Sequence, residues 1–222
     1  MRRLYNLLGT GLLAGCSVNL GESREDFATL DGEVLEVALD ASSGDVEIRV
    51  DPGATETRMT RNVLWNGDEP CLTSGLENGI LTLSDSCNGG LACEVDYLVV
   101  FPTSPELVSV STGSGDIHLA GIGGEIGAET GSGDISGSAL GALRATASTG
   151  SGDVDLVWVD TPENVVLKTG SGDVTLVVPA GTYRIFTSTG SGNRTLDGVE
   201  DGASGGTLRI DTGSGDIVIR GR

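Results

Sequence analysis

One phrase, Thr-Gly-Ser-Gly-Asp, places a side chain capable of chemistry at a nearly fixed interval. It occupies residues 112–116, 130–134, 149–153, 169–173 and 212–216. A sixth copy, 189–193, ends in Asn, and Ser42-Ser43-Gly44-Asp45 is a partial copy upstream. The column Asp45, Asp116, Asp134, Asp153, Asp173, Asn193 and Asp216 admits two kinds of chemistry. A carboxylate behind glycine can accept the N–H and hydroxyl donors of its own turn, with the glycines supplying the positive φ that such turns need. A row of carboxylates can also ligate Ca²⁺. Asn at 193 separates the two, because it keeps the acceptor of a turn and loses the charge that Ca²⁺ prefers. The expected role of the column is therefore structural, with no metal or cofactor.

A second reactive group is the thiol of Cys16. Arg2 and Arg3 precede a short apolar run that ends in Leu13-Ala14-Gly15-Cys16. The run is too short to span a bilayer and has the layout of an export signal. It resembles the bacterial lipobox, which implies lipidation of Cys16, cleavage before it and acylation of the new amino group. Cleavage removes two arginines and no acid, moving the formal net charge from −19 to −21. Ser17 after the cysteine implies delivery to the outer membrane of a Gram-negative cell. Acyl chains hold such a chain on a membrane at about 0.8 kcal/mol per buried CH₂. So acidic a surface excludes nucleic acid as a partner.

Three further cysteines lie in the exported part, where a disulfide is expected. Cys87 and Cys93 bracket a hairpin-like connection and form the favoured pair; either pairing with Cys71 stays open. His118, the single histidine, falls on an outward strand position with no Cys or His beside it, which is a poor metal site. Trp65 and Trp158 are expected in the core or at a coil edge, with sugar stacking as the alternative. The repeated Gly-Ser-Gly-Asp is no nucleophile elbow, since no helix follows it.

The elements that carry the phrase are strands. Two residues before each Thr stand Val110, Ala128, Ala147, Leu167, Thr187 and Ile210. After each Asp come Ile117, Ile135, Val154, Val174 and Ile217. This is period-two patterning on both sides of a turn. First glycine to first glycine, the copies step by 18, 19, 20, 20 and 23 residues. The second turns are expected at 121–124, 137–141, 160–163, 179–182 and 197–206. One such unit cannot bury its own apolar face, whereas stacking at about 4.8 Å creates a continuous core and superposes the turns. The predicted fold is all-β, a parallel β-solenoid of about 20 residues per coil with two main strands. In the stack Asp216 is expected beyond Asn193. Upstream, strands are expected near 34–39, 46–50, 55–65, 80–83 and 95–101, with 66–78 as a loop.

Tyr97-Leu98-Val99-Val100-Phe101-Pro102, then Val108-Ser109-Val110-Ser111 leading into repeated Thr-Gly-Ser-Gly-Asp, resemble the bacterial adhesin-type β-solenoid domain over roughly residues 33–222. That resemblance implies a binding or structural surface role and carries no catalytic residues. The chain divides into a signal peptide (1–15), a lipidated cysteine and tether (16–32), an N-terminal β region (33–106) and the repeat solenoid (107–222). The expected protein is a lipid-anchored, non-enzymatic envelope protein that meets a surface, glycan or protein ligand. Two alternatives remain: a polysaccharide-acting β-helix enzyme, by fold analogy, and a Ca²⁺-binding repeat protein, resembling the Gly-Gly-x-Gly-x-Asp rolls but without their spacing.

Overall fold

The computed structural model describes residues 21–87 and 92–222, and all its regular elements are β-strands. The first seven are β1 (Glu22–Leu30), β2 (Glu36–Ala41), β3 (Val46–Val50), β4 (Thr57–Asn66), β5 (Cys71–Glu77), β6 (Ile80–Ser86) and β7 (Ala92–Phe101). The repeats contribute β8 (Leu107–Thr112) and β9 (Ile117–Ala120), β10 (Glu125–Thr130) and β11 (Ile135–Leu140), β12 (Arg144–Thr149) and β13 (Val154–Trp158), β14 (Asn164–Thr169) and β15 (Val174–Val178). The last five are β16 (Gly181–Thr189), β17 (Arg194–Asp197), β18 (Val199–Asp201), β19 (Thr207–Thr212) and β20 (Ile217–Gly221).

Each repeat lays one strand in each of two ten-stranded sheets, and the Thr-Gly-Ser-Gly-Asp turn carries the chain from one to the other. Sheet A runs β1-β4-β7-β3-β9-β11-β13-β15-β20-β17, and sheet B runs β18-β16-β19-β14-β12-β10-β8-β2-β6-β5. Through the repeats every neighbour is parallel, with like positions in register, such as Ala128 against Ala147 and Val154 against Val174. This is the parallel β-solenoid that the period predicts. Alternate side chains point inward, and Val165, Leu167, Val174 and Leu176 are fully buried between the sheets.

The coils do not stack in chain order. The coil of β19 and β20 lies between that of β14 and β15 and that of β16 and β17. Asp216 therefore precedes Asn193 in space, the reverse of the expected order. Burial supplies the reason. A coil inside the stack is covered on both sides, and Leu208, Ile210, Ile217 and Ile219 at its inward positions are fully buried. The corresponding residues of the outer coil are Ile185, Thr187, Arg194 and Leu196. A terminal coil leaves one side wet, which Thr187 and Arg194 tolerate at the positions where the inner coil has Ile210 and Ile217. The other end is rearranged in the same way, with β2 and β3 between β8 and β9 on one side and β6 and β7 on the other.

Two stretches read from sequence as unstructured are strands. Residues 22–30 of the expected tether form β1, antiparallel to β4, and residues 71–77 of the expected loop form β5, antiparallel to β6. Both are edge strands. One neighbour and one covered face leave little apolar alternation to read, and the charges of β1 also discourage further strand addition. A third difference concerns β11, which continues past Gly137 to Leu140 through a register shift, with Ala139 at φ 53°. The side chain of Leu140 takes the space that a Cβ on Gly137 would enter; its Cδ1 would lie 2.9 Å from that Cβ.

Candidate functional site

The turns superpose into one edge of the solenoid, and there each Asp reaches across coils instead of bonding within its own turn. Asp45 Oδ1 accepts the backbone N–H of Asp116 at 2.8 Å. Asp116 does the same for Asp134, Asp134 for Asp153, Asp153 for Asp173 and Asp173 for Asp216, all at 2.7 to 2.8 Å. The run ends at Asn193, whose backbone N–H bonds Asp216 Oδ1 at 2.7 Å and whose side-chain amide donates to the same oxygen at 3.2 Å. It begins at Asp96, outside any repeat, which accepts from Asp45. The column replaces the local Asx-turn expected from the sequence. The physical cause is the in-register stack, which brings the next coil's amide within reach of every carboxylate.

The rest of the phrase serves the same contact. Five of the six threonines are buried, Thr189 of the outermost coil being half-buried, and each donates its hydroxyl to a glycine carbonyl one coil away, as in Thr130 to Gly115 at 3.0 Å and Thr149 to Gly133 at 2.9 Å. Gly133 has φ 148°, and a Cβ there would lie 2.0 Å from the Gly115 carbonyl oxygen. Close approach, as much as positive φ, restricts the position to glycine. Neighbouring carboxylates about 4.8 Å apart repel by roughly 1 kcal/mol at water-like dielectric. An amide donated to an exposed carboxylate returns a similar amount, about 1 kcal/mol. The ladder is thus close to balance without a counter-ion. Among the described residues no group of three or more His, Cys, Asp or Glu side chains converges to hold a metal ion.

The partial copy at 42–45 lacks the Thr because its neighbouring coil offers a different contact. Asp85, 8 % exposed, accepts the Ser42 backbone N–H at 3.1 Å and the Tyr97 hydroxyl at 3.3 Å. Burial pushes its carboxyl above the ordinary range; the Ser42 and Tyr97 bonds pull it back, and Asp40 adds to the rise. Burial beside Asp85 also raises the Tyr97 hydroxyl, against a lowering by Arg61. Arg61 itself is largely buried, lies 3.8 Å from Asp26, and keeps Nε and Nη1 without hydrogen-bond partners. Sequence inspection passed over Asp85 and Asp96, since neither stands behind glycine.

Cys87 and Cys93 are joined by a disulfide, with Cα atoms 5.8 Å apart, while Cys71 stands exposed at the start of β5. Cys16 and the export signal lie outside the described residues. His118 is exposed, with Nδ1 2.8 Å from Ser136 Oγ. Trp158 is fully buried and donates Nε1–H to the Ala142 carbonyl at 2.8 Å; Trp65 is buried under the Arg24 guanidinium. Neither indole presents a face for sugar stacking.

Residues 103–220, the repeats from just before β8 to the last strand, match the family model described as Toastrack DUF4097. The chain belongs to the Toastrack DUF4097 family. No curated protein matches it. Among solved structures, the Toastrack chain is similar to a cell adhesion protein candidate from Clostridium sporogenes, at 16 % identity and TM-score 0.52, over 90 % of this chain and 100 % of that one. An adhesin candidate from Bacteroides fragilis is 12 % identical with TM-score 0.49, over 90 % and 97 % of the two chains. The first likeness supports the solenoid fold of this Toastrack chain.

Proposed function

We propose that this chain is an exported, lipid-anchored surface protein whose solenoid is a rigid contact module and not an enzyme. One observation carries the reading: the repeated carboxylates, the most site-like feature of the sequence, are spent on bonds between coils. Their role is structural. What remains for a partner is the two outer sheet faces on a stack of ten strands, about 45 Å tall. Asp85 and Tyr97, whose acidities are shifted, are buried where a substrate does not reach them. The proposed anchor is Cys16 in the lipobox-like segment, six residues before β1. Six residues reach at most about 20 Å, so an anchor at Cys16 would keep the β1 end of the stack near the membrane.

The test combines anchoring with contact. Cells expressing the full chain are fractionated and their adherence to host or neighbouring cells is scored, beside cells expressing Cys16→Ala. Membrane partitioning and adherence in the parent, both lost in the variant, are the expected result. Normal processing and membrane partitioning of Cys16→Ala reject the anchor; lack of adherence by displayed parent rejects the contact role.

A further inference from the structure

The outer face of sheet B is electrically polarised along the stack. In the four strands β6, β2, β8 and β10, its outward positions carry Glu36, Asp40, Glu125 and Glu129 and no base. In the next four, β12, β14, β19 and β16, they carry Arg144, Lys168, Arg209 and Arg184 against one acid, Asp211. Over these eight strands the face thus passes from −4 to +3, and with the end strands β5 and β18, which add Glu77 and Glu200, from −5 to +2, within a chain of formal charge −19. Arg144 is paired with Glu163 at 3.2 Å, whereas neither Arg184 nor Arg209 has an ion-pair partner among the described residues. Arg209 stacks on Phe186, its guanidinium carbon 5.1 Å from the ring centroid, and Phe186 is 49 % exposed. Arg144 and Arg184 flank an open groove of about 510 Å³ whose lining includes Asn164, Thr207, Pro162 and one acid, Glu163, which is the partner of Arg144.

We infer that this half-face is a binding site for an acidic polysaccharide, a glycan bearing carboxylate or sulfate groups. The inference rests on the surface-contact reading above and names the ligand class. Strand spacing sets Arg144 and Arg184 about 14 Å apart, so a chain lying along the stack axis meets a cation at each end of the groove. Between them, Asn164 and Thr207 offer hydrogen bonds to hydroxyls. The stacked Arg209 presents a planar fork held in place for bidentate contact with a carboxylate or sulfate. The overall negative charge does not defeat this. From Arg144 and Arg184 the Asp column lies at the other edge of the sheet, six strand residues or about 20 Å away and more than two Debye lengths at physiological salt; Arg209 stands about 10 Å from the turn. A protein partner fits less well, because the groove is lined mostly by polar and charged residues instead of an apolar pocket that would seat an anchoring side chain.

Titration calorimetry with the full-length chain in detergent tests the site against polygalacturonate, dextran sulfate and uncharged dextran. Binding of at least one polyanion, with no binding of dextran, is expected; the preferred polyanion separates carboxylate from sulfate recognition. Arg144→Ser/Arg184→Ser/Arg209→Ser should weaken it about tenfold or more. Arg49→Ser/Arg58→Ser/Arg220→Ser removes the same charge from the outer face of sheet A and should change it by less than about threefold. Arg184→Gln alone, at an exposed position, gives an intermediate loss should the triple variant misfold. Equal losses in both triple variants, dextran binding as tight as the polyanions, or equal binding of polyglutamate or phosphatidylglycerol vesicles would overturn the assignment. Adherence is scored on the same variants. Adherence kept after polyanion binding is lost removes this face as the contact site and leaves the surface-contact reading standing. Polyanion binding by a parent chain that confers no adherence does the reverse.

Discussion

Asp134 Oδ1 accepts the backbone N–H of Asp153 at 2.8 Å, and the carboxylate of Asp153 then holds Asp173 in the same way. The contact needs an acceptor and not a charge. Asp153→Asn keeps the acceptor and removes the repulsion from Asp134 and Asp173, so it should melt no lower than the parent, while Asp153→Ala, without the acceptor, should fall about 1 kcal/mol below Asp153→Asn. Asn193→Ala at the end of the ladder should cost less than Asp153→Ala, because no coil lies beyond it to be held. Thermal melts of the three variants with millimolar Ca²⁺ and with chelator decide the point. A Ca²⁺-dependent rise in melting temperature that Asp153→Asn abolishes would replace the structural ladder with a calcium site.

Two glycines in the same coil should behave in opposite ways. Gly133 has φ 148°, and the Cβ of an alanine there would lie 2.0 Å from the Gly115 carbonyl oxygen, so Gly133→Ala must separate two coils and should cost several kcal/mol. Gly127 lies on the outer face of β10, where a Cβ would find its nearest neighbour at 3.9 Å. Gly127→Ala should be neutral or stabilising by about 0.5 kcal/mol, through the smaller entropy of the unfolded chain. Urea denaturation of both variants checks this; equal losses would mean that the stack tolerates displacement at its turns.

The solenoid was legible because parallel coils set equivalent residues over one another, which forces the same turn to recur at the same interval. The inward strand positions followed from alternation, and Val165 is fully buried where that alternation places it. Coil order was not legible, since it depends on which coil can bear a wet end, and the signal was confined to Thr187 and Arg194. The basic face was hidden for a different reason: Arg144, Lys168, Arg184 and Arg209 stand on four separate strands, and only the register of those strands sets them on one face. The edge strands β1 and β5 escaped notice because an edge needs little apolar patterning to pair.

Arg194 should be a solubility device. It occupies the inward register of Ile217 and Val174 but sits on the outermost coil, where it pairs with Asp201 at 3.4 Å. Asp201 also accepts the Ile185 N–H at 3.2 Å, covering part of the exposed edge of β16. Thr187→Ile/Arg194→Ile restores the apolar pattern of an interior coil and should cause concentration-dependent association through that end. Sedimentation velocity at two concentrations reads the effect. A double variant as monodisperse as the parent would show that the end is protected by something other than its polar residues.

The Asp85 carboxyl should set a pH dependence opposite in sign to that of a salt-bridged acid. Burial raises its folded-state pKa above the ordinary carboxylate value of the unfolded chain. Below that ordinary value both states are protonated and the contribution of Asp85 is complete. As pH rises through the raised folded value, the buried group must ionise or hold its proton at a cost, and the contribution is lost. Asp85→Asn keeps an acceptor for the Ser42 N–H at 3.1 Å and cannot ionise. Its melting temperature relative to the parent should therefore climb as the buffer moves from acid to neutral, and the difference curve cancels the other acids common to both chains. The opposite slope, with Asp85→Asn losing ground as pH rises, would show that Arg61 stabilises Asp85 as the anion and that the polar cluster beneath β4 is an ion-pair network.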